Sequence, residues 1–277
     1  MPRIFDFSGQ VVERSQTVAG LRSLKGSGVR AAQVTAETAE EAAAAEAAGV
    51  EMVVCRAINV SRVREGSTKV FTTAIVSFAD AITADEVLKT AVGALTSGAD
   101  AIITTRGFET VRMLADELIP VMGHLGFVPR KSTWVGGIRA VGKSAAEALQ
   151  LWDRFRRLED AGAFAVECEL VPAAVMNEIN MRTGLVTVSL GSGTDADVIY
   201  LFTSDIIGET ARPPRHARSW GRVAELQNMI NLERRQALAS FRTEVASGSF
   251  PREAERASLP EKELIAFREG LEKLSNL

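Results

Sequence analysis

Residues 38–55 read TAEEAAAAEAAGVEMVVC, and this stretch carries the unit from which the fold is read. Thr38 precedes an alanine-rich run, Glu41 follows it by three, Gly49 ends the run, and an apolar segment comes next. A hydroxyl residue with a glutamate three places on forms a capping box, in which the two side chains satisfy free N–H groups of the first helical turn. Glycine suits the left-handed residue that commonly closes a helix. The unit recurs twice. Thr83 and Glu86 open a helical pattern that ends at Gly98 and leads into ADAIITT; Ser144 and Glu147 open another that ends at Gly162 and leads into AFAVEC. These following segments are almost wholly apolar rather than alternating, which marks strands buried on both faces, as in parallel sheets.

Working outward, eight strands emerge: VRAAQV, EMVVC, VFTTAIVSF, ADAIITT, IPVMG, AFAVEC, LVTVSL and VIYLF. Strands alternating with helices imply right-handed βαβ units. Eight of them favour a closed α/β barrel of the (β/α)₈ type over an open doubly wound sheet, and a barrel of about 250 residues uses nearly all of the 277 present. We therefore expect a single barrel domain over 1–277, with helical extensions at about 1–29 and 217–277. Residues 217–246 read as a long amphipathic helix, and EKELIAFREGLEKL as a second. The stretch 123–143 is too long for an ordinary connection and is a candidate functional loop.

Composition narrows the function. Apolar residues make up 46% and charged residues 24%, which suits a packed globular protein. The 32 basic and 35 acidic side chains leave a charge of −3, against a broad nucleic-acid-binding face. No apolar run reaches the roughly 20 residues of a membrane helix. The opening MPRIFDFSGQ lacks the apolar segment of a secretory signal. Two cysteines and two histidines, scattered in sequence, build neither a disulfide framework nor a zinc site. The expectation is a cytoplasmic enzyme or binding protein with a small-molecule partner, not a nucleic acid or a membrane.

A barrel places its active site at the C-terminal ends of its strands. Glu167 and Glu169 flank Cys168 at one such end, so both carboxylates share a face and the thiol takes the other. A partly desolvated carboxylate there would serve as a general base, and a solvated turn is the plainer alternative. His124 sits between glycines in VMGHLGFVP, where it would donate to a substrate oxygen or simply brace a loop. His216 reads as surface, and Cys55 and Cys168 as small buried residues. GSGTDA, with Gly191 and Gly193, fits a loose dinucleotide fingerprint, but no helix follows it; a glycine-rich lining of the barrel mouth is the better reading.

The motifs GHLGFVP (123–129), GGIRAVG (136–142), AGAF (161–164), ELVP (169–172), SLGSG (189–193), FTSDIIG (202–208) and EVASGSFP (244–251) follow one another in the order of a known family. Together with RAAQVTAETAEEAAAAEAAGVEMVV, they make the chain resemble ketopantoate hydroxymethyltransferase from about residue 17 to 251. The resemblance implies a (β/α)₈ TIM barrel of the phosphoenolpyruvate mutase and isocitrate lyase type, usually a homo-oligomer. It implies transfer of a hydroxymethyl group from 5,10-methylenetetrahydrofolate to 2-oxoisovalerate, with a divalent metal holding the oxo acid. Glu169 matches the family's proposed proton-transfer residue, His124 its histidine, and Asp205 the aspartate of its H-D pair, whose histidine is Ser204 here.

The departures cluster. The family's first aspartate ligand aligns with Arg56 and its second falls near Ile75–Val76; its lysine becomes Ile103 and its acid Thr105. The segment after the second strand is also shorter. Hard cations such as Mg²⁺ need oxygen ligands, so the sequence predicts no metal at the family position. Arg56, with Arg106, is the expected replacement, binding a small carboxylate and offsetting enolate charge, with Thr105, His124, Gly191, Gly193 and Asp205 around it; the plainer alternative is a decayed site whose arginines face solvent or pair with acids. The leading expectation is a divergent, metal-independent enzyme that makes or breaks a C–C bond next to the carbonyl of a small 2-oxo acid. The alternatives are a hydroxymethyltransferase with a different acceptor and a non-catalytic metabolite-binding paralogue.

Overall fold

The computed structural model describes residues 3–275. They fall into two compact units, divided after Gly221. The first holds ten strands. β1 (Arg3–Phe5) and β2 (Val11–Glu13) form an antiparallel pair. β3 (Ala31–Thr35), β4 (Met52–Arg56), β5 (Phe71–Ile75), β6 (Ala101–Ile103), β7 (Val121–Gly126), β8 (Ala165–Glu169), β9 (Val186–Leu190) and β10 (Val198–Leu201) close into a parallel barrel, β10 pairing with β3. All eight expected strands are present. The stretch before β3, expected to be helical, is this hairpin plus one short helix, Val18–Ser23, capped by Thr17.

Alternation along each strand sorts side chains into two cores. Met52, Val54, Phe71, Met122, Val188 and Tyr200 fill the barrel interior. Val53, Cys55, Ala74, Ile102, Leu125, Val166 and Cys168 point outward against the helices. Both cysteines are buried and free. Thr38 with Glu41, and Thr83 with Glu86, form complete capping boxes. The third is half a box: Ser144 caps the N–H of Glu147, but the Glu147 carboxylate turns to Arg139 and to the N–H groups of Gly142 and Lys143. Gly49, Gly98 and Gly162 close their helices at positive φ.

The helix after β4, Val60–Gly66, has 7 residues against 13 and 16 in the helices Ala84–Thr96 and Ala145–Asp160. Gly66 lets it cross the helix Ala39–Ala47 closely: a Cβ there would lie 1.8 Å from the carbonyl oxygen of Ala39.

At the N-terminal end of the barrel, Asp100 receives Arg14 Nε (2.6 Å), Arg64 Nη2 (2.6 Å) and the N–H of Thr72 (2.8 Å). On the opposite side of the barrel, before β10, Asp197 accepts from Lys25 (2.8 Å) and from the Thr187 N–H (2.8 Å). These buried charges are paired and hydrogen-bonded, as burial demands.

The second unit contains the helix Val223–Ser247, which starts later than the expected 217, and the helix Glu261–Ser275, joined by a single turn at Glu253–Glu255. No helix is long and apolar enough to cross a membrane among the described residues.

Candidate active site

The C-terminal ends of the barrel strands surround a cavity of about 470 Å³. Its floor carries His124, Glu167 and Glu169. Parallel register puts His124 opposite Glu167, and Gly126 opposite Glu169. The flanking glycines have separate reasons. Gly123 faces outward, where a Cβ would meet Leu158 of the helix Ala145–Asp160 at 2.5 Å. Gly126, at φ +85°, lies so close to β8 that a Cβ would come within 2.3 Å of the Glu169 carbonyl oxygen. These glycines allow the close packing that holds the inward His124 against β8.

His124 is held on both sides. Nδ1 lies 3.3 Å from Glu167 Oε1, and Nε2 lies 3.2 Å from Glu169 Oε2. Nε2 also donates to the carbonyl of Phe127 at 2.9 Å. The three side chains are 7%, 8% and 14% exposed. Burial alone would pull the imidazole pKa down, but the two carboxylates outweigh it and push it up to about 10. His124 is therefore a cation at neutral pH, and the cluster carries one surplus negative charge. Tyr200, on the wall, has its pKa pushed well above the usual range, first by burial and then by Glu167 and Glu169, so its hydroxyl stays protonated.

Of the residues singled out in the sequence, Thr105, His124 and Glu169 line the cavity; Arg56, Arg106, Gly191, Gly193 and Asp205 do not. Arg56 has the inward parity of β4, but its side chain is 61% exposed and sits 3.8 Å from Glu37, whose carboxylate also accepts the Arg56 N–H. Arg106 turns back to the carbonyls of Ala81 and Ile82 and stacks on Phe78, 4.4 Å from the ring centroid. The two arginines thus do not converge on Glu169. Asp205 is buried in the turn Thr203–Ile206. Gly191 and Gly193 line a neighbouring pocket of about 310 Å³ with His216, whose ring packs on Gly191 and is half-buried rather than on the surface.

The sequence reading missed Arg130, Phe78, Tyr200 and Phe202, which complete the lining. Arg130 donates to the Thr105 carbonyl and lies 5.1 Å from the Phe78 ring centroid, so it is already oriented at the mouth. It lies in the stretch 123–143 singled out for its length. The first residues of that stretch belong to β7, and only the rest, with a short helix at Ser132–Val135, is irregular.

A family model described as ketopantoate hydroxymethyltransferase matches residues 56–253. Among curated relatives, the 3-methyl-2-oxobutanoate hydroxymethyltransferase of Pyrobaculum islandicum is 34% identical over 170 residues, which is 60% of this chain and 62% of that protein. Its counterpart in Nitratidesulfovibrio vulgaris is 34% identical over 164 residues, 59% of this chain and 51% of that one. The chain therefore spans about three-fifths or less of the length of these relatives. The structure is similar to 2,3-dimethylmalate lyase, a PEP mutase/isocitrate lyase superfamily member (TM-score 0.54, 14% identity, covering 78% of this chain and 87% of that one). It is also similar to phosphoenolpyruvate phosphomutase from Streptomyces platensis (TM-score 0.50, 12% identity, covering 94% and 98%). At such identities the likeness concerns the fold, which is the barrel type that the sequence resemblance implies.

Proposed function

The chain belongs to the ketopantoate hydroxymethyltransferase family, and from that premise we propose that it makes or breaks a C–C bond beside the carbonyl of a small 2-oxo acid. Hydroxymethyl transfer is the leading form. The observation that carries this reading is the cationic His124 between Glu167 and Glu169 on the floor of the cavity. The acid lies with its carboxylate toward Arg130. Glu169, whose carboxylate has no side-chain partner but His124 among the described residues, takes the proton from the carbon beside the carbonyl. The C–H electron pair becomes the enolate double bond, and the carbonyl oxygen gains the negative charge. The His124 imidazolium and the Tyr200 hydroxyl offset that charge, which is the differential stabilisation that catalysis needs. The enolate carbon then attacks the one-carbon unit at the oxidation level of formaldehyde. The unit's oxygen comes from the water that frees it from its carrier, and takes up a proton to become the new hydroxyl, while the reverse sequence cleaves the bond.

The family's metal does not fit the residues present. The ends of β4 and β5, where the resemblance puts aspartate ligands, carry Arg56 and Ile75. The cavity's two carboxylates already flank His124. A hard dication requires oxygen ligands, chiefly carboxylates and water, and the side chains of Arg56 and Ile75 offer none. When bound, 5,10-methylenetetrahydrofolate supplies the electrophilic one-carbon unit. Phe202, 39% exposed, is the ring in the lining suited to its flat pterin, since Phe78 already stacks with Arg106 and Arg130.

The test is proton exchange in D₂O followed by NMR, with 2-oxoisovalerate and a panel of oxo acids, with and without EDTA. We expect exchange beside the carbonyl that survives EDTA and falls about 10²- to 10⁴-fold in Glu169→Gln, the range of general-base contributions. Exchange abolished by EDTA, or indifferent to Glu169→Gln, overturns the reading.

A further inference from the structure

Outside the barrel mouth, a second cavity of about 200 Å³ lies between the segment 126–141 and the helix Ala145–Asp160. Four ionisable side chains line it: Lys131, Arg139, Glu147 and Arg154. Arg139 and Glu147 cancel: Glu147 receives Arg139 Nη2 at 2.7 Å and Nη1 at 3.3 Å, and the N–H groups of Gly142 and Lys143 at 3.2 and 3.1 Å. The acid's capacity is taken up. Lys131 and Arg154 are left, and neither has an acidic partner within 4.0 Å among the described residues. Two further cations stand close by. Arg130 precedes Lys131, and Arg157, one helical turn on from Arg154, stacks with it on Phe108, at 4.5 and 5.8 Å from the ring centroid. Arg130, Lys131, Arg154 and Arg157 thus stand near one another, none with an acid within 4.0 Å among the described residues. Lys131 is exposed and Arg154 half-buried, so both can reach a ligand that enters from solvent.

We propose that this cavity is a binding site for a compact oxyanion, a phosphoryl group carried by a small molecule or free phosphate, held between Lys131 and Arg154. A phosphoryl group has several acceptor oxygens, enough for the Lys131 ammonium, the Arg154 guanidinium and the Gln150 amide together. The guanidinium can take two of these oxygens at once. The cations also act on one another, in second place to burial. Lys131 has its pKa lowered by burial and then by Arg154 and Arg130, and Arg154 by burial and then by Arg157. An anion in the cavity relieves both effects. Consecutive residues thus face different chemistry, Arg130 the mouth and Lys131 this site. That placement is independent of the reaction assigned to the mouth.

Isothermal titration of the full chain with inorganic phosphate, in a chloride buffer of fixed ionic strength, tests the proposal. A phosphomonoester and succinate serve as parallel probes. We expect saturable phosphate binding that weakens at least about tenfold in Lys131→Met and in Arg154→Met, the usual worth of a charge-assisted hydrogen bond. Arg154→Lys should retain part of the affinity. Tighter binding of the phosphomonoester than of free phosphate assigns the source as an organic phosphate; the reverse order assigns free phosphate. Both variants should unfold at or above the wild-type temperature in chloride, because each removes like-charge repulsion. Phosphate heats no larger than those of chloride overturn the site, as does binding unchanged in both variants. Succinate binding more tightly than phosphate overturns the phosphoryl assignment. None of these readouts depends on turnover at His124.

Discussion

The two ends of the barrel carry charge clusters of opposite construction. At the N-terminal end one anion, Asp100, lies between two cations, Arg14 and Arg64. At the C-terminal end one cation, His124, lies between two anions, Glu167 and Glu169. Both are buried and each leaves one charge in surplus, yet their surroundings differ. The Asp100 cluster continues into the backbone: the Thr72 N–H and the carbonyls of Thr68 and Val70 complete it. Asp100 also borders a pocket of about 340 Å³, but its side chain is only 6% exposed; the His124 cluster opens on the cavity at the mouth, where Glu169 keeps 14% exposure. A closed network of this kind serves to fix structure. An open one keeps hydrogen-bonding capacity for a ligand. The division matches the general rule that a barrel's bottom face serves stability and its top face chemistry.

The largest effect should come from the closed end. Asp100→Ala strands two arginines whose side chains are 3% and 12% exposed. Breaking a buried pair by removing one partner costs about 3–5 kcal/mol. Urea unfolding should show that loss, while proton exchange per folded molecule stays near wild type. A loss below about 1 kcal/mol would show that the closed end is not the structural clamp described, and would break the contrast.

At the open end the corresponding experiment removes one flanking carboxylate. His124 titrates at about 10 in the fold and at about 6.5 in the unfolded chain. Because the folded value is the higher one, the imidazolium's contribution to stability is complete below about pH 6.5 and is lost as pH rises toward about 10. Glu167→Gln should lower the His124 midpoint by about 1–3 pH units, the usual effect of losing one near carboxylate. With only two histidines in the chain, a ¹⁵N NMR titration resolves both. The same variant should flatten the fall in stability between about pH 7 and about pH 9. An unshifted midpoint would mean that Glu169 alone holds the proton, and the symmetry of the cluster would fail.

Much of this was legible before the structure. Helix starts at Thr38 and Thr83, the glycine stops and eight strands are local signals, each written within a few residues. Sharing of one face by Glu167 and Glu169 follows from strand period alone. The clusters themselves were not legible, because they depend on register between strands and on loop paths. His124 meets Glu167 across 43 residues through the β7–β8 pairing, and Asp100 meets Arg14 across 86. A loop also hid the mouth arginine. From sequence, Arg56 and Arg106 were the natural anion contacts at strand ends. Yet Arg106 ties down the carbonyls of Ala81 and Ile82, and the side chain at the cavity is Arg130, carried in by the segment after β7.

That exchange of arginines supplies the last way to sharpen the contrast. Arg56 is paired with Glu37 at 3.8 Å and is largely exposed, so it resembles a surface ion pair. Such pairs contribute about 0–1 kcal/mol. Arg56→Ala should leave both stability and the affinity for 2-oxoisovalerate nearly unchanged. Arg130 differs: its bond to the Thr105 carbonyl and its place over Phe78 fix it at the cavity before any ligand arrives. A hydrogen bond to a charged group is worth about 1.5–3 kcal/mol, so Arg130→Ala should weaken binding about 10- to 150-fold in a calorimetric titration. If Arg56→Ala weakens binding instead, its side chain must leave Glu37 and swing inward when the acid enters. The open end would then differ from the closed one in mobility as well as in unfilled hydrogen bonds, since no comparable swing is available to Arg14 or Arg64 in their buried network.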